Sequence, residues 1–492
     1  MRNKLLVGAV LIAIFIGVLY QNFGEQEVNV ASVEIAQDIQ SSAVESELEQ
    51  EISAFLTELY PNNEPGVSVI LAKGDEILYR NGHGMANLEH NISISPDMVF
   101  RLGSLTKQMT TASIMLLAEE GLLQVDDSIT QYFPDYPTHG YTITLRHLMT
   151  HTSGIIDFLA IEEFSDIEKE DITAVDVVEF FQNQPMNFAP GEAYSYTNSG
   201  YVMLGAIIEQ LSGQSYEDFV QERIFNPLGM DNTYHGDFKR IIPNRVIGYA
   251  MGPDGYENSS YLSMTIPGAA GAIISNVDDL LTWNTALFAG EVVSQESLEV
   301  MTSPFVLNNG DLSNYGFGLA VQSLRGQPMI SHTGGINGFI TYSAYLPESE
   351  MYVAVLGNTG FQSRVYEGNS MLAMAIGDPY PAKDFQSVDS EILNGYTGEY
   401  QTIRGIHFEV SVSDEALSLR INGSPEMNLG ATSENVFYLD KSFTHIEFID
   451  GNEADTYDLV FYTNDEESDG QVASFIVPPN GFDPRFDPEI EE

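Results

Sequence analysis

The apolar positions of this chain change period several times, and the changes outline its elements. Gly66-Val-Ser-Val-Ile-Leu71 and Glu76-Ile-Leu-Tyr-Arg80 are short β-rich runs joined at Lys73-Gly-Asp75, the pattern of a strand hairpin. From Ser104 the spacing becomes helical and nearly all-round apolar, through Thr111-Ala-Ser-Ile-Met-Leu-Leu-Ala to a stop at Gly121, which predicts a buried helix. Further helices are predicted over Thr173 to Gln182, Val202 to Leu211 and Val277 to Leu287. Strands return at Met329 to His332, Ile340 to Leu346 and Met351 to Leu356. Strands at both ends with helices between them predict an α+β domain over 51–378, an antiparallel sheet closed by distant segments.

Gly377-Asp-Pro-Tyr-Pro-Ala382 breaks the pattern and opens a linker over 379–389. Strict alternation follows, with Phe408, Val410 and Val412, then Leu417, Leu419 and Ile421. Turn signals stand at Asn422-Gly423, Asp450-Gly451 and Asp469-Gly470. Residues 390–478 therefore read as a small antiparallel β-barrel or sandwich, followed by an acidic tail over 479–492. At the other end, Arg2 and Lys4 precede an apolar stretch from Leu5 to Tyr20 and then an acidic linker over 23–50. That order predicts a signal peptide or an N-terminal membrane anchor over 1–22. The expected location is periplasmic or extracellular, since basic residues before the apolar stretch place the body outside the cytoplasm.

Composition narrows the chemistry. The chain has no cysteine, which removes disulfides, iron–sulfur clusters and thiolate zinc sites. A formal charge of −52, from 71 acidic and 19 basic residues, repels phosphate backbones and argues against a nucleic-acid partner. It suits a salty medium, where screening relieves the self-repulsion.

Only one of the seven lysines has a serine three residues upstream: Lys107, after Ser104. On a helix these positions share a face, so the amine can reach the hydroxyl. Serine needs a neighbouring base to become a nucleophile, and a lysine held neutral by burial can be that base. Serine is also a favoured helix N-cap. A cap alone leaves Lys107 unexplained, because a cation in the first turn opposes the helix dipole.

Two further elements lie downstream. Tyr196-Thr-Asn198 sits in a turn-rich loop leading into the helix from Val202, and Ile330-Ser-His-Thr-Gly-Gly335 is a strand ending in two glycines. Ser-x-x-Lys, Tyr-x-Asn and His-Thr-Gly in this order resemble the three signature elements of the serine β-lactamase and penicillin-binding-protein superfamily. The tyrosine resembles the class C branch, with its D-aminopeptidases, D,D-peptidases and esterases. Leu148-Met-Thr-His-Thr-Ser-Gly154, Pro190-Gly191, Asn226-Pro-Leu-Gly-Met230 and Tyr315-Gly-Phe-Gly318 are similar to that branch as well. The resemblance covers roughly Glu51 to Gly377, and the last domain is similar to the lipocalin-like barrel often appended to such enzymes.

The resemblance implies Ser104 as nucleophile, Lys107 as part of its base and Tyr196 in the proton relay, its phenolate favoured by a cationic Lys107. It implies Asn198 as the residue orienting lysine and substrate, and the N–H groups of Ser104 and Gly335 as the oxyanion hole. Thr333 and Gly334 would border the substrate, and no cofactor or metal is implied. His332 replaces the lysine that many β-lactamases carry in the third element. A histidine is mostly neutral near pH 7. The expected substrates are therefore esters, amides or molecules with a free amine, with β-lactams turned over poorly. The alternatives are a D-stereospecific peptidase or D,D-carboxypeptidase, with a D-amino-acid peptide of the cell wall as substrate, and, in another class, a non-catalytic protein that binds peptide or glycan. His147 and His151 have helical metal-ligand spacing, but Leu148 stands where the zincin pattern has glutamate. Ser153 lacks a Gly-x-Ser-x-Gly elbow and reads as part of a structural loop.

Overall fold

The computed structural model describes residues 47–402, 406–413, 415–423, 426–451 and 457–462, with the backbone of 471–477. The segments read as signal or anchor (1–22) and acidic tail (479–492) lie outside the described residues, as does most of the linker 23–50. The end of that linker is helical, within a helix spanning 47–59. Among the described residues no helix is long and apolar enough to cross a membrane. The chain divides after Leu56 into two units, and the second carries the sheet, the site and the barrel.

The sheet has six antiparallel strands. β1 (Val67–Lys73) and β2 (Glu76–His83) form the expected hairpin, and β3 (Ala320–Leu324), β4 (Gln327–Ile336), β5 (Phe339–Leu346) and β6 (Met351–Gly357) complete it. The spatial order is β3-β4-β5-β6-β1-β2. β6 pairs with β1 from Val67 opposite Gly357 to Lys73 opposite Met351, so segments almost 300 residues apart close the domain.

Four helices frame the site: α1 (Thr106–Glu119), α2 (Asn198–Ser212), α3 (Val277–Ala289) and α4 (Val365–Ala375). Alternation along β5 assigns three of them to faces. Tyr342 reaches one face, where its hydroxyl donates to Asn369 Oδ1 of α4 at 2.7 Å. Ser343 and Tyr345 point to the other face. There Ser343 Oγ accepts from Gln108 of α1 at 3.5 Å, and Tyr345 packs on Phe288 of α3, ring centroids 4.3 Å apart. With both faces covered, β1 is buried at every position but Lys73, which is why it is apolar from Val67 to Ala72 except at Ser68.

Two predicted helix starts shift. Ser104 lies in a short 3₁₀ turn, Gly103–Leu105, that leads into α1. α2 begins at Asn198 rather than Val202, because Thr197 caps it by accepting from the Ser199 N–H at 3.2 Å.

The last domain is a closed eight-stranded antiparallel barrel: β7 (Gly398–Thr402), β8 (His407–Ser413), β9 (Ala416–Ile421), β10 (Met427–Ala431), β11 (Val436–Leu439), β12 (His445–Asp450), β13 (Tyr457–Tyr462) and β14 (Gln471–Val477). Phe408, Val410, Leu417 and Leu419 point inward, as their alternation predicts. Asn422 and Gly423 both take positive φ, the geometry of the tight hairpin that an Asn-Gly pair favours. Asp469-Gly470 lies outside the described residues. Barrel residue Phe443 packs on Tyr380 of the linker and Tyr366 of α4, with centroids 4.4 and 4.9 Å away.

Candidate active site

Strand Phe100–Arg101 delivers the chain to Ser104, and the next residue is held from two sides. The Leu102 N–H donates to Ile273 O at 2.9 Å, and its carbonyl accepts from Thr341 Oγ1 of β5 at 2.7 Å. Two glycines let β4 pass against this turn. A Cβ on Gly334 would lie 2.0 Å from Leu102 O, and one on Gly103 would lie 2.8 Å from Gly335 N. The serine makes no helix-cap hydrogen bond, and neither do the residues that begin the 3₁₀ turn and α1. Its side chain is free for chemistry rather than spent on capping.

Lys107 is fully buried, and its ammonium nitrogen has three polar neighbours: Ser104 Oγ at 3.0 Å, Asn198 Oδ1 at 2.8 Å and Ala270 O at 2.9 Å. Burial pulls its pKa from 10.5 down to about 7, partly opposed by the Asp157 carboxylate. Two of the three neighbours are pure acceptors. A neutral amine has two hydrogens for them, which leaves its lone pair facing the serine hydroxyl. The Ala270 carbonyl reaches Lys107 because Gly205 of α2 admits the turn Gly268–Gly271: a Cβ there would come within 2.7 Å of Ala269 Cβ.

Asn198 is oriented by its other end, where Nδ2 donates to Asp157 Oδ2 at 3.0 Å. That bond fixes which amide atom faces the lysine. Tyr196 has Ser104 as a hydrogen-bonding neighbour, and its ring passes 4.8 Å from Lys107 Nζ. The residue as a whole is 36% exposed at the mouth of the cleft, whereas its phenol is desolvated. Desolvation drives the phenol pKa well above 10, which outweighs the hydrogen bond with Ser104 that lowers it. The expected phenolate is therefore not what this geometry favours. A near-neutral lysine beside a protonated tyrosine suits Lys107 as the base and Tyr196 as the acid.

His332 is buried at 4% exposure with both ring nitrogens engaged. Nε2 accepts from the Tyr315 hydroxyl at 2.7 Å, and Nδ1 donates to its neighbour's Thr333 O at 2.5 Å. Burial, reinforced by Lys107, pushes its pKa down to about 3, so it is neutral throughout the physiological range. Thr333 and Gly335 are exposed beside Ser104, whereas Gly334 is buried under the Leu102 carbonyl. β3 pairs with β4 only as far as Ser331, which leaves residues 332–336 as an open strand edge along the cleft.

The cleft has a volume of about 430 Å³ and is walled by Phe158, Leu159, Phe164, Leu262 and Ile266. Glu168 is the one charged side chain among its lining residues. A second groove of about 640 Å³ continues past Tyr196 and Thr333 along His332 and Tyr315 to Tyr380 of the linker and Phe443 of the barrel.

Three contributors escaped the sequence reading. Asp157 follows the Thr-Ser-Gly loop with no motif of its own, and Glu168 stands in an acidic helical run that reads as solvated surface. His151 carried the metal-spacing signal and a place in the Leu148–Gly154 element, neither of which gave it a role. It is fully buried, and its ring packs at a 37° tilt against Tyr196, with centroids 4.1 Å apart. Its Nδ1 accepts from the Thr197 N–H at 3.2 Å and its carbonyl from the Ser195 N–H at 2.9 Å. His147 instead accepts from the Thr144 N–H at 3.2 Å, so the two histidines serve separate loops. The Ser153 hydroxyl accepts from the Ile155 N–H at 3.2 Å within its own loop.

Comparison with known proteins identifies the family. The family model described as Beta-lactamase matches residues 49–375. Penicillin-binding protein 4* of Bacillus subtilis is 31% identical over 428 residues, which is 81% of this chain and 93% of that one. The octameric penicillin-binding protein homologue from Pyrococcus abyssi superposes with a TM-score of 0.62 at 27% identity, covering 87% of this chain and 99% of its own. The D-amino acid amidase from Ochrobactrum anthropi SV3, complexed with L-phenylalanine amide, gives 0.59 at 27% identity over 68% of this chain and 99% of its own. The chain belongs to the β-lactamase family of serine hydrolases.

Proposed function

We propose that this protein hydrolyses ester or amide bonds through an acyl-enzyme on Ser104. The observation that carries the reading is Lys107, buried, close to neutral, and with two of its three polar contacts made to pure acceptors. The lone pair takes the Ser104 proton as Oγ attacks the substrate carbonyl. The oxyanion that forms sits between the N–H groups of Ser104 and Gly335, donors of a kind worth about 3 kcal/mol each. The Tyr196 phenol, kept protonated by burial, gives its proton to the leaving group and regains one from the lysine ammonium. Water then attacks the ester on Ser104, the same groups passing its proton in the reverse direction.

The substrate class follows from what the cleft lacks. No Lys or Arg lines it apart from the buried Lys107, and His332 is neutral with both nitrogens taken. A substrate carboxylate finds no cation there. Glu168, whose carboxylate meets only the exposed Lys169 ammonium at 3.4 Å among the described residues, offers a partner for a substrate ammonium that displaces that lysine, and the open edge of β4 can pair with an extended backbone. Amino-acid amides, esters and short peptides with a free amine fit this site better than β-lactams or peptide C-termini. The D-amino acid amidase among the structural relatives supports that class. We also place the protein outside the cytoplasm, on the basic start and apolar stretch of residues 2–20.

One panel tests the reading: wild type against Ser104→Ala on p-nitrophenyl acetate, D- and L-amino-acid amides, a D-Ala-D-Ala peptide and nitrocefin, with intact-mass detection of acyl-enzyme. Hydrolysis of the ester and an amino-acid amide, lost in Ser104→Ala, is expected. Full activity in Ser104→Ala, or rapid nitrocefin turnover with no ester or amide hydrolysis, would overturn it.

A further inference from the structure

Outside the catalytic cleft, a cavity of about 280 Å³ lies behind the turn between β4 and β5. It shares no lining residue with the cleft, although Tyr261 and Met264 line one and Leu262 and Ile266 the other. Its polar wall holds two arginines, Arg101 and Arg245. Its apolar wall is aromatic: Phe238, Tyr261 and Phe339, with the first two rings 4.5 Å apart.

Six of the described arginines, Arg80, Arg146, Arg223, Arg325, Arg364 and Arg420, each pair with a carboxylate, while Arg240 lies over the Tyr234 ring. The Arg101 side chain makes no hydrogen bond or ion pair among the described residues. Its guanidinium lies over the Phe238 and Phe339 rings, 4.8 and 5.7 Å from their centroids. Burial and the neighbouring Arg245 together pull its pKa down to about 10, burial being the larger cause. Arg245 spends one N–H on the Asp237 carbonyl at 2.7 Å and has no carboxylate partner. The Asp237 carboxylate also borders the cavity, but it accepts from the Lys239 N–H at 2.7 Å and pairs with neither arginine. In a chain with 71 acidic residues, two adjacent cations have been left without one.

Burying a guanidinium without a counter-charge is costly, and placing a second beside it adds repulsion. An anion in the cavity relieves both, and a planar oxyanion matches the guanidinium fork. The aromatic wall supplies a surface for an apolar body, and the volume limits that body to a small one. We propose that this cavity binds a small monocarboxylate, its carboxylate between Arg101 and Arg245 and its apolar part against Phe238, Tyr261 and Phe339.

Calorimetric titration of the full chain with sodium phenylacetate, and separately with sodium phosphate, tests this. Both are run at pH 7.5 and one fixed ionic strength set with sodium chloride, since added salt alone relieves the charge of this protein. Saturable phenylacetate binding is expected, weakened at least tenfold in Arg101→Gln and in Arg245→Gln. Ser104→Ala, which leaves this cavity intact, is expected to bind as wild type does. Arg245 is exposed, so Arg245→Gln remains informative should Arg101→Gln fail to fold. Absence of saturable binding, binding unchanged in Arg245→Gln, or loss of binding in Ser104→Ala would overturn the proposal. Phosphate binding without phenylacetate binding would overturn the carboxylate assignment.

Discussion

If neutral Lys107 is the base for Ser104, the pH profile of the reaction reports its titration. The free amine is the active form, so kcat/KM rises with pH through an acid limb whose midpoint is the lysine pKa, about 7. Two units below that midpoint about 1% of the base is neutral, and each unit of pH there costs tenfold in rate. Two units above it the profile is flat, because the phenol of Tyr196 stays protonated well past pH 10. The assay is kcat/KM for p-nitrophenyl acetate from pH 5 to 9, with Ser104→Ala subtracted as the uncatalysed background. An uncharged substrate keeps its own titration out of the profile. Asp157→Asn removes the charge that raises the lysine pKa, so its midpoint moves to lower pH, although Asn198 also loses its anchor. Lys107→Met should lose roughly 10²- to 10⁴-fold across the range, the usual worth of a positioned general base. A Ser104-dependent rate that is flat from pH 5 to 9, or a falling limb in place of a rising one, refutes the assignment.

Glu168→Gln should raise KM for an amino-acid amide about two- to fivefold and leave the N-acetylated analogue unchanged, as steady-state kinetics on the pair will show. Gly334→Ala sets a Cβ 2.0 Å from Leu102 O, a backbone atom with no room to yield. Esterase activity should collapse and chemical denaturation should show a loss of about 1–3 kcal/mol, the usual cost of overpacking. His151→Leu removes the ring under Tyr196 and the acceptor for the Thr197 N–H without touching substrate. It should lower kcat for the ester about tenfold with KM little changed, and a change confined to KM would contradict that positioning role.

What was legible in the chain depended on period and on short spacing. β1 and α1 declared themselves as runs buried on all sides, and the inward positions of β8 and β9 through alternation, because a barrel strand buries only one face. Ser104 and Lys107 were readable as a pair because three residues of helix fix their separation. The register that brings Gly335 to Ser104 was not readable, since it depends on Gly334 and Gly103 each giving up a Cβ to a backbone far away in sequence. Asp157 and Glu168 stayed hidden for a simpler reason. In a chain this acidic, one more carboxylate carries no signal until the fold shows which of them has left the surface. The charge states of Tyr196 and Lys107 were hidden because desolvation sets them, and burial of a polar group is the property least visible in its neighbours' names.

Burial activates Lys107 and also strains the fold, and the two effects have opposite consequences for a Lys107→Met variant. A folded pKa lowered from 10.5 to about 7 corresponds to about 5 kcal/mol at about 1.4 kcal/mol per unit. The sign follows from proton counting. Between pH 7 and 10.5 the unfolded chain holds a proton that the folded chain has lost, so raising the pH through this window stabilises the fold. Below pH 7 the full cost of a buried ammonium is present, and above 10.5 it is gone. Methionine removes that cost but leaves Asn198 Oδ1 and Ala270 O without a donor, at about 1–3 kcal/mol each. Near pH 7 the gain and the loss are of similar size and the variant should be about as stable as wild type. At pH 9 the gain has shrunk by roughly half while the loss has not, so the variant should be the less stable of the two. Denaturant midpoints of both proteins at pH 6, 7.5 and 9 measure the difference directly. A stability gap that does not change across that range would mean that Lys107 keeps its proton in the folded state, and that it cannot be the base.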